Sequence, residues 1–404
     1  MELLAPAGNF EKAKYALHYG ADAIYTGGKQ FSLRAKADNL DDEQLSQLVE
    51  YCHSLQKKIF ITTNIYAHNQ HLEGLENYIQ FLGSLKLDGI ILSDPSVFRM
   101  VQKYAPEIPI HISTQANITN WQTVKFWQDL GARRVILARE LTFEEITEIR
   151  QKCPDMEIEI FVHGAMCISY SGRCLISAYF NNRHANLGEC THPCRWNYSV
   201  MEESRPGQYF PVEEDQHGTY FFNSKDLCLW KYIKEIYELG IDSIKIEGRM
   251  KSNYYVANVV RTYRQALDAV KSGNLIDDKW FDELDKVSHR IYSDGFYNGF
   301  NSEHTQHYST SAYSRDWQYL GNIIKSDNQN VWVSVLSKFS VNETIGFIFP
   351  DINDDFEIKI THLFDENELP IEFTKPNTVV KIPVSKSVPD NGILRKRITE
   401  SVSI

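Results

Sequence analysis

The sequence predicts an α/β fold: a (β/α)8 TIM-like barrel with a cysteine-rich insertion after strand seven, followed by a small C-terminal all-β, barrel-like domain. Three observations predict it. Eight short apolar runs alternate with helix-period stretches through about residue 271, the pattern of a closed barrel of about the usual size. After about Ala312 that rhythm gives way to apolar runs separated by Asp, Asn and Pro turns. Four of the chain's 7 cysteines crowd between Cys167 and Cys194, just after the seventh apolar run. A doubly wound sheet is the alternative for the first part, but no G-x-G-x-x-G follows the first strand.

The elements read in order. Leu3-Leu4 is a strand that breaks at Ala5-Pro6-Ala7-Gly8, and the helix after it runs to about Tyr19, closed by Gly20. Ala23-Ile24-Tyr25 is the second strand, stopped by Gly27-Gly28. Leu45, Leu48, Val49, Cys52 and Leu55 form a helical stripe, which makes Cys52 a core residue. Ile59–Thr62, Gly89–Leu92, Ile110–Ser113 and Val135–Leu137 are the next strands, with helices between them. Asn120 caps one of these helices, and Thr142 with Glu145 forms a capping box on another. Ile158–Val162 is the seventh strand and Ser243–Ile246 the eighth. The stretch between them is too long for an ordinary connection, so it is an insertion with its own role; it ends where Asp226 is expected to start a helix. Residues 254–271 are one more amphipathic helix.

Four parts follow: a barrel over 1–271, an insertion over 163–222, a connecting segment over 272–311 with a short helix near Trp280–Ile291, and a β domain over 312–404. Within the last, Val331–Val335, Ile345–Phe349, Phe356–Ile360 and Val379–Ile382 read as strands.

Composition is that of an ordinary globular protein, 43% hydrophobic and 24% charged. No apolar run is long enough to cross a bilayer, and the N-terminus has no signal-peptide pattern. The expected location is the cytoplasm, where thiols stay reduced and clustered cysteines bind metals rather than each other. A net charge of −11 gives no bulk support for nucleic-acid binding, so any RNA contact needs a local patch. Arg395-Lys396-Arg397 is one small basic cluster, though such clusters are commonly solvated ends.

Cys167, Cys174, Cys190 and Cys194 are the candidate metal ligands, because thiolates are soft donors suited to zinc or an iron–sulfur cluster. Buried or disulfide-bonded cysteines are the bland alternative, but those scatter and these cluster. Structural zinc sites usually pair ligands as short C-x2–4-C knuckles, and only Cys190 and Cys194 lie that close. A [4Fe–4S] cluster is therefore the first expectation and zinc the second. Cys153 and Cys228 fall outside the group and read as structural, and His192 is expected to point away.

Barrel active sites lie at the C-terminal ends of the strands. Position alone nominates Arg34, Asn64, Asp94, Gln115, Asn117, Arg139, Glu140, His163, Glu247 and Arg249, each with a loop-cap alternative. Lys245, Glu247 and Arg249 alternate along strand eight and so share one side of it. Charges facing into a barrel are costly unless paired or used, which suits an anionic ligand or a structural ion pair.

Three stretches also carry a resemblance. Glu159 to Ser177 reads E-x-F-x-x-G-A-M-C-x-x-x-x-G-x-C-x-x-S, Lys245 to Ser252 reads K-I-E-G-R-M-K-S, and Glu2 to Gly8 reads E-L-L-A-P-A-G. Together they resemble the signature of the U32 peptidase family. The name suggests proteolysis, yet the sequence has no H-E-x-x-H and no G-x-S-x-G. The resemblance implies a different activity. It points to iron–sulfur proteins that install hydroxyl groups without molecular oxygen on a tRNA wobble uridine, an rRNA cytidine or a ubiquinone precursor.

At this length, with one appended β domain, the chain is most similar to the tRNA uridine hydroxylases. That similarity implies tRNA as partner, prephenate as hydroxyl source and no membrane. His163, Glu247 and Arg249 are then the expected catalytic set, with Arg34, Gln115, Asn117 and Lys245 binding substrate. Arg249 and Arg34 would grip the two carboxylates of prephenate. A peptidase and a non-catalytic iron–sulfur assembly partner are the alternatives.

Overall fold

The computed structural model describes residues 1–29, 31–32, 40–167, 169–171, 173–181, 183, 187, 190–191, 193, 213–215, 218–220, 225–299, 316–385 and 388–398. The barrel begins with β1 (Glu2–Pro6), α1 (Phe10–His18), β2 (Ala23–Thr26), α2 (Asp42–Ser54), β3 (Lys58–Thr62), α3 (Leu72–Ser84), β4 (Gly89–Leu92) and α4 (Pro95–Tyr104). It continues with β5 (Ile110–Ile112), α5 (Trp121–Asp129), β6 (Arg134–Ile136), α6 (Phe143–Lys152) and β7 (Glu157–Ala165). After the insertion, with α7 (Ile176–Asn181) and the hairpin β8 (Glu213–Asp215) and β9 (Gly218–Tyr220), come β10 (Asp226–Cys228), α8 (Ile233–Glu238) and β11 (Ser243–Ile246). The strands β1 to β7 pair in sequence and in parallel, and β11 lies between β1 and β7, parallel to both, so the ring closes on eight strands.

Local chemistry sets the helix starts. Asn9, Asp41, Asp94, Asn120 and Thr142 each cap a helix with a side-chain oxygen that accepts a backbone N–H. Asp41 with Gln44 and Thr142 with Glu145 complete capping boxes. The core is one continuous apolar cluster between the strands and the ring of helices. Cys52, Cys153 and Cys228 are buried in it. No described helix is long and apolar enough to cross a membrane.

Two elements differ from expectation. Asp226 does not start a helix. It lies in β10, which pairs antiparallel with the end of β7, and its carboxylate accepts the Arg290 guanidinium at 2.7 Å instead of capping a helix. The helix begins later, at Ile233. In the connecting segment, α10 (Phe281–Leu284) is shorter than expected and is followed by β12 (Tyr292–Ser293), which pairs with β10.

α9 (Asn253–Lys271) packs along the barrel and also carries the second domain. That domain is an open six-stranded antiparallel half-barrel, ordered β16-β15-β18-β13-β14-β17. Its strands are β13 (Trp317–Ser326), β14 (Asn330–Val335), β15 (Thr344–Ile348), β16 (Phe356–Lys359), β17 (Val379–Pro383) and β18 (Ile393–Arg397). Two of them, β13 and β18, occupy the middle of the sheet and are absent from the sequence reading. β18 reads ILRKR, and its Arg395 is not a solvated end. It is 5% exposed and bonds Glu283 on the barrel side at 2.7 Å. Lys396 pairs with Glu343 at 2.9 Å, which removes two of the three cations of the suspected basic patch.

Candidate active site

The barrel is plugged from below by charge. Arg134 at the start of β6 bonds Glu2 of β1 at 2.6 Å and Glu159 of β7 at 2.9 Å. Lys245 of β11 donates to the other oxygen of Glu159 at 2.9 Å. All four lie inside the ring, where only pairing makes their burial tolerable. Lys245 is 3% exposed, and burial lowers its pKa while Glu159 opposes the shift. Its expected substrate role is therefore corrected. Alternation does put it on the same face as Glu247 and Arg249, but two residues of strand span about 6.6 Å, so Lys245 sits a layer deeper and is held by the plug.

Above the plug, Tyr25 organises the corner of the mouth between β2 and β11. Its hydroxyl donates to the Ile246 carbonyl at 3.0 Å and lies 3.1 Å from the Glu247 carboxylate. The Lys245 ammonium stands 4.3 Å from its ring centre and the Arg249 guanidinium 5.8 Å. Tyr25 thus ties the Lys–Glu–Arg set together, and it was not among the expected site residues. An aromatic at the end of strand two reads as core, with nothing in the sequence to mark its polar end. Arg249 is 4% exposed. Its Nη1 donates to Ser32 Oγ at 2.9 Å and Thr62 Oγ1 at 3.0 Å, so it reaches across β1 to the loops after β2 and β3. Arg34, its expected counterpart, lies outside the described residues.

The three signature stretches meet at this corner. A Cβ on Gly8 would stand 2.2 Å from the Arg249 carbonyl oxygen. Gly164 has φ +112°, and a Cβ there would stand 2.5 Å from the Glu247 carbonyl oxygen. The two glycines let the ends of β1 and β7 approach the loop after β11 closely.

His163 is a second correction. Between Lys245 and Ile246 the register of β11 on β7 shifts by one residue, a bulge that turns the side chain outward. The ring lies among Tyr255, Tyr263 and Tyr292 on the helix side of the barrel, with Nδ1 3.3 Å from the Tyr263 hydroxyl. Burial lowers its pKa to about 3, so it is neutral and away from the mouth.

On the other arc of the rim, Asn117 takes a left-handed conformation and donates to the Gln115 carbonyl at 2.9 Å. Tyr66 donates to the same carbonyl at 2.6 Å. Asn64 and Asp94 are also at this rim; Asp94 caps α4 and accepts the Ala67 N–H at 3.0 Å. Arg139 reaches the cysteine segment, with Nη1 on the Ala165 carbonyl at 2.8 Å and Nη2 on Ser171 Oγ at 2.9 Å. Burial raises the pKa of Glu140 beside it.

The segment after β7 lies over this arc. Besides the Arg139 bonds, the Arg173 guanidinium stands 5.3 Å from the Tyr66 ring centre. Ser177, fully buried on α7, accepts the Thr191 N–H at 3.1 Å, which draws the stretch at Cys190 against the helix that follows Cys174. Cys167 is exposed, and Cys174 and Cys190 are half-buried. In kind and accessibility they suit a thiolate-bound group. Among the described residues no three His, Cys, Asp or Glu side chains gather as a metal-binding set. Cys194 and His192 lie outside the described residues.

A (β/α)8 barrel joined to an antiparallel half-barrel is the class this geometry defines. The family model Peptidase family U32 matches residues 8–307, and the model for that family's C-terminal domain matches residues 315–395. The chain belongs to the U32 peptidase family. Among its relatives, the tRNA hydroxylation protein P1 of Bacillus subtilis is 38% identical over 401 residues, covering 98% of this chain and 94% of that one. The tRNA hydroxylation protein P of Escherichia coli is 38% identical over 89% of this chain and 88% of its own. A protein of Porphyromonas gingivalis named collagenase is 30% identical over 80% of each chain.

Proposed function

We propose that this protein hydroxylates C5 of the wobble uridine (U34) of tRNA without molecular oxygen. Prephenate supplies the hydroxyl group in an iron–sulfur-dependent reaction. The observation that carries the reading is the end-to-end similarity to tRNA hydroxylation proteins, which spans the barrel, the thiol-bearing segment and the half-barrel alike. The mouth supports it chemically. Arg249 presents a planar guanidinium, the group best suited to a carboxylate. Ser32 and Thr62 fix one of its nitrogens, and Tyr25 with Glu247 braces the same corner. A [4Fe–4S] cluster on Cys167, Cys174, Cys190 and Cys194 would supply one-electron chemistry at the rim.

Proteolysis is the second reading, favoured by the collagenase relative. The described residues argue against it. The Cys–His neighbourhood of β10 and β7 pairs Cys228 with His163, yet burial holds that thiol protonated, up to about 11, and leaves the imidazole neutral. A cysteine nucleophile needs the opposite shift.

Protein purified without oxygen is expected to be brown, with about four iron and four sulfide per chain, and to form 5-hydroxyuridine on tRNA when given prephenate. Stoichiometric zinc without visible absorbance contradicts the cofactor. Peptide cleavage without any change in tRNA contradicts the function.

A further inference from the structure

The turn after β5 holds a side chain that its surroundings leave unsatisfied. Gln115 is 2% exposed, and neither its Oε1 nor its Nε2 has a hydrogen-bond partner among the described residues. Such groups are rare in native proteins and call for a physical reason. The backbone here is firmly placed. The Gln115 carbonyl accepts from Tyr66 and Asn117, its N–H donates to Ser113 Oγ at 3.4 Å, and the neighbouring Thr114 hydroxyl donates to the Leu137 carbonyl at 3.1 Å. A fixed frame thus presents an amide with nothing to bind. The segment that carries Cys167 and Cys174 sits on the same frame, through Arg173 stacked on Tyr66.

The buried polar atoms left without a partner at the rim also differ in charge from arc to arc. Arg249 and Glu247 occupy the arc from β11 to β3, whereas the buried unpartnered atoms of Thr63, Gln115 and Asn117, on the arc from β3 to β5, are all neutral. A small dianion offers mainly acceptors and belongs with Arg249. An amide offers a donor and an acceptor in one plane, which matches a ligand edge of the same kind.

We infer that the Gln115 amide reads the edge of the pyrimidine being modified, an inference that rests on the RNA-hydroxylation reading. Uracil presents N3–H beside a carbonyl oxygen, and an amide completes two parallel hydrogen bonds with that edge. Unstacked bases in single-stranded RNA are commonly recognised in this way, and enzymes acting on a base draw it out of the stack. Gln115 is then a specificity residue on the β3–β5 arc, across the mouth from Arg249.

The test uses the whole protein without co-substrate and two RNAs: an anticodon stem-loop with uridine at the wobble position, and the same stem-loop with an abasic site there. The wild type is expected to bind the uridine RNA roughly ten- to a hundredfold more tightly. Gln115→Ala and Gln115→Met are expected to lose that difference while keeping the affinity for the abasic RNA. Gln115→Met removes the unpaired amide at nearly constant volume, so it is expected to melt at or above the wild-type temperature. A Gln115→Met protein that still discriminates between the RNAs, or that melts well below wild type, overturns the assignment. A wild type that binds both RNAs equally overturns it as well. One that binds neither overturns the RNA reading, and this inference with it.

Discussion

Arg249 shows how far side-chain spacing can be trusted. The K-x-E-x-R pattern placed Lys245, Glu247 and Arg249 on one face of the last barrel strand, and all three do approach Tyr25. Spacing carries no depth, so it could not separate Lys245 in the plug from Arg249 at the mouth. It also carries no bulge, so it does not show that His163 turns away from the mouth. If Arg249 chelates a carboxylate, Arg249→Ala should weaken prephenate binding about ten- to a hundredfold. Arg249→Lys should do nearly the same, because an ammonium cannot bind in plane. Calorimetric titration checks this, with iron content as the control; wild-type affinity in either variant contradicts it. His163 makes a prediction in pH. Its pKa falls from 6.5 in the unfolded chain to about 3 in the folded protein. The unfolded state therefore takes up the proton first as the medium acidifies. Stability should drop below about pH 6.5, by up to ~1.4 kcal/mol per pH unit from this residue, until about pH 3. Urea titrations of wild type and His163→Phe should show a shallower slope in the variant, and identical slopes would refute the burial argument.

At the scale of elements, the barrel was legible because each strand is a short apolar run and several helix starts carry a side-chain cap. The half-barrel was legible only in part. β14, β15 and β17 show clear apolar runs, but β13 carries Gly321, Asn322 and Lys325, and β18 carries three consecutive cations. Both are central strands whose polar residues are used elsewhere: Asn322 accepts from Tyr319 at 2.6 Å, and Arg395 bonds the barrel. The sequence singles out the cysteine segment, but not its attachments, since Arg139, Tyr66 and Ser171 match no motif. Arg139 bonds both Ala165 and Ser171, flanking Cys167, and loss of a charged hydrogen bond costs about 1.5–3 kcal/mol. In Arg139→Ala the half-buried Cys174 thiol of the reduced, metal-free protein should react with a thiol reagent roughly ten- to a hundredfold faster, as the segment opens more often. An unchanged labelling rate would show that Arg139 does not hold the segment.

The whole molecule is two sheets joined by a buried ion network. Arg261 on α9, fully buried, bonds Glu283 at 2.5 Å and Asp355 of the half-barrel at 2.8 Å, and Arg395 bonds Glu283 from the other domain. Tyr19, the C-cap of α1, adds hydrogen bonds to the Ile348 and Asn391 carbonyls, both at 3.1 Å. Burial alone would raise the Glu283 pKa, but Arg395, Arg261 and Lys286 outweigh it and hold the carboxyl well below its usual range. Removing one member strands buried charge, so Glu283→Ala should cost about 3–5 kcal/mol in a urea titration. A loss below about 1 kcal/mol would mean the half-barrel is not locked to the barrel through this network. Such a lock holds both domains in one fixed geometry. The central claim is that this geometry serves RNA modification. It is tested most directly by mass spectrometry of tRNA nucleosides from a strain lacking the gene, with and without a restored copy. The account predicts loss of 5-hydroxyuridine and its derivatives at the wobble position, and their return with the wild-type copy. An unchanged nucleoside profile in the deletion strain would contradict it.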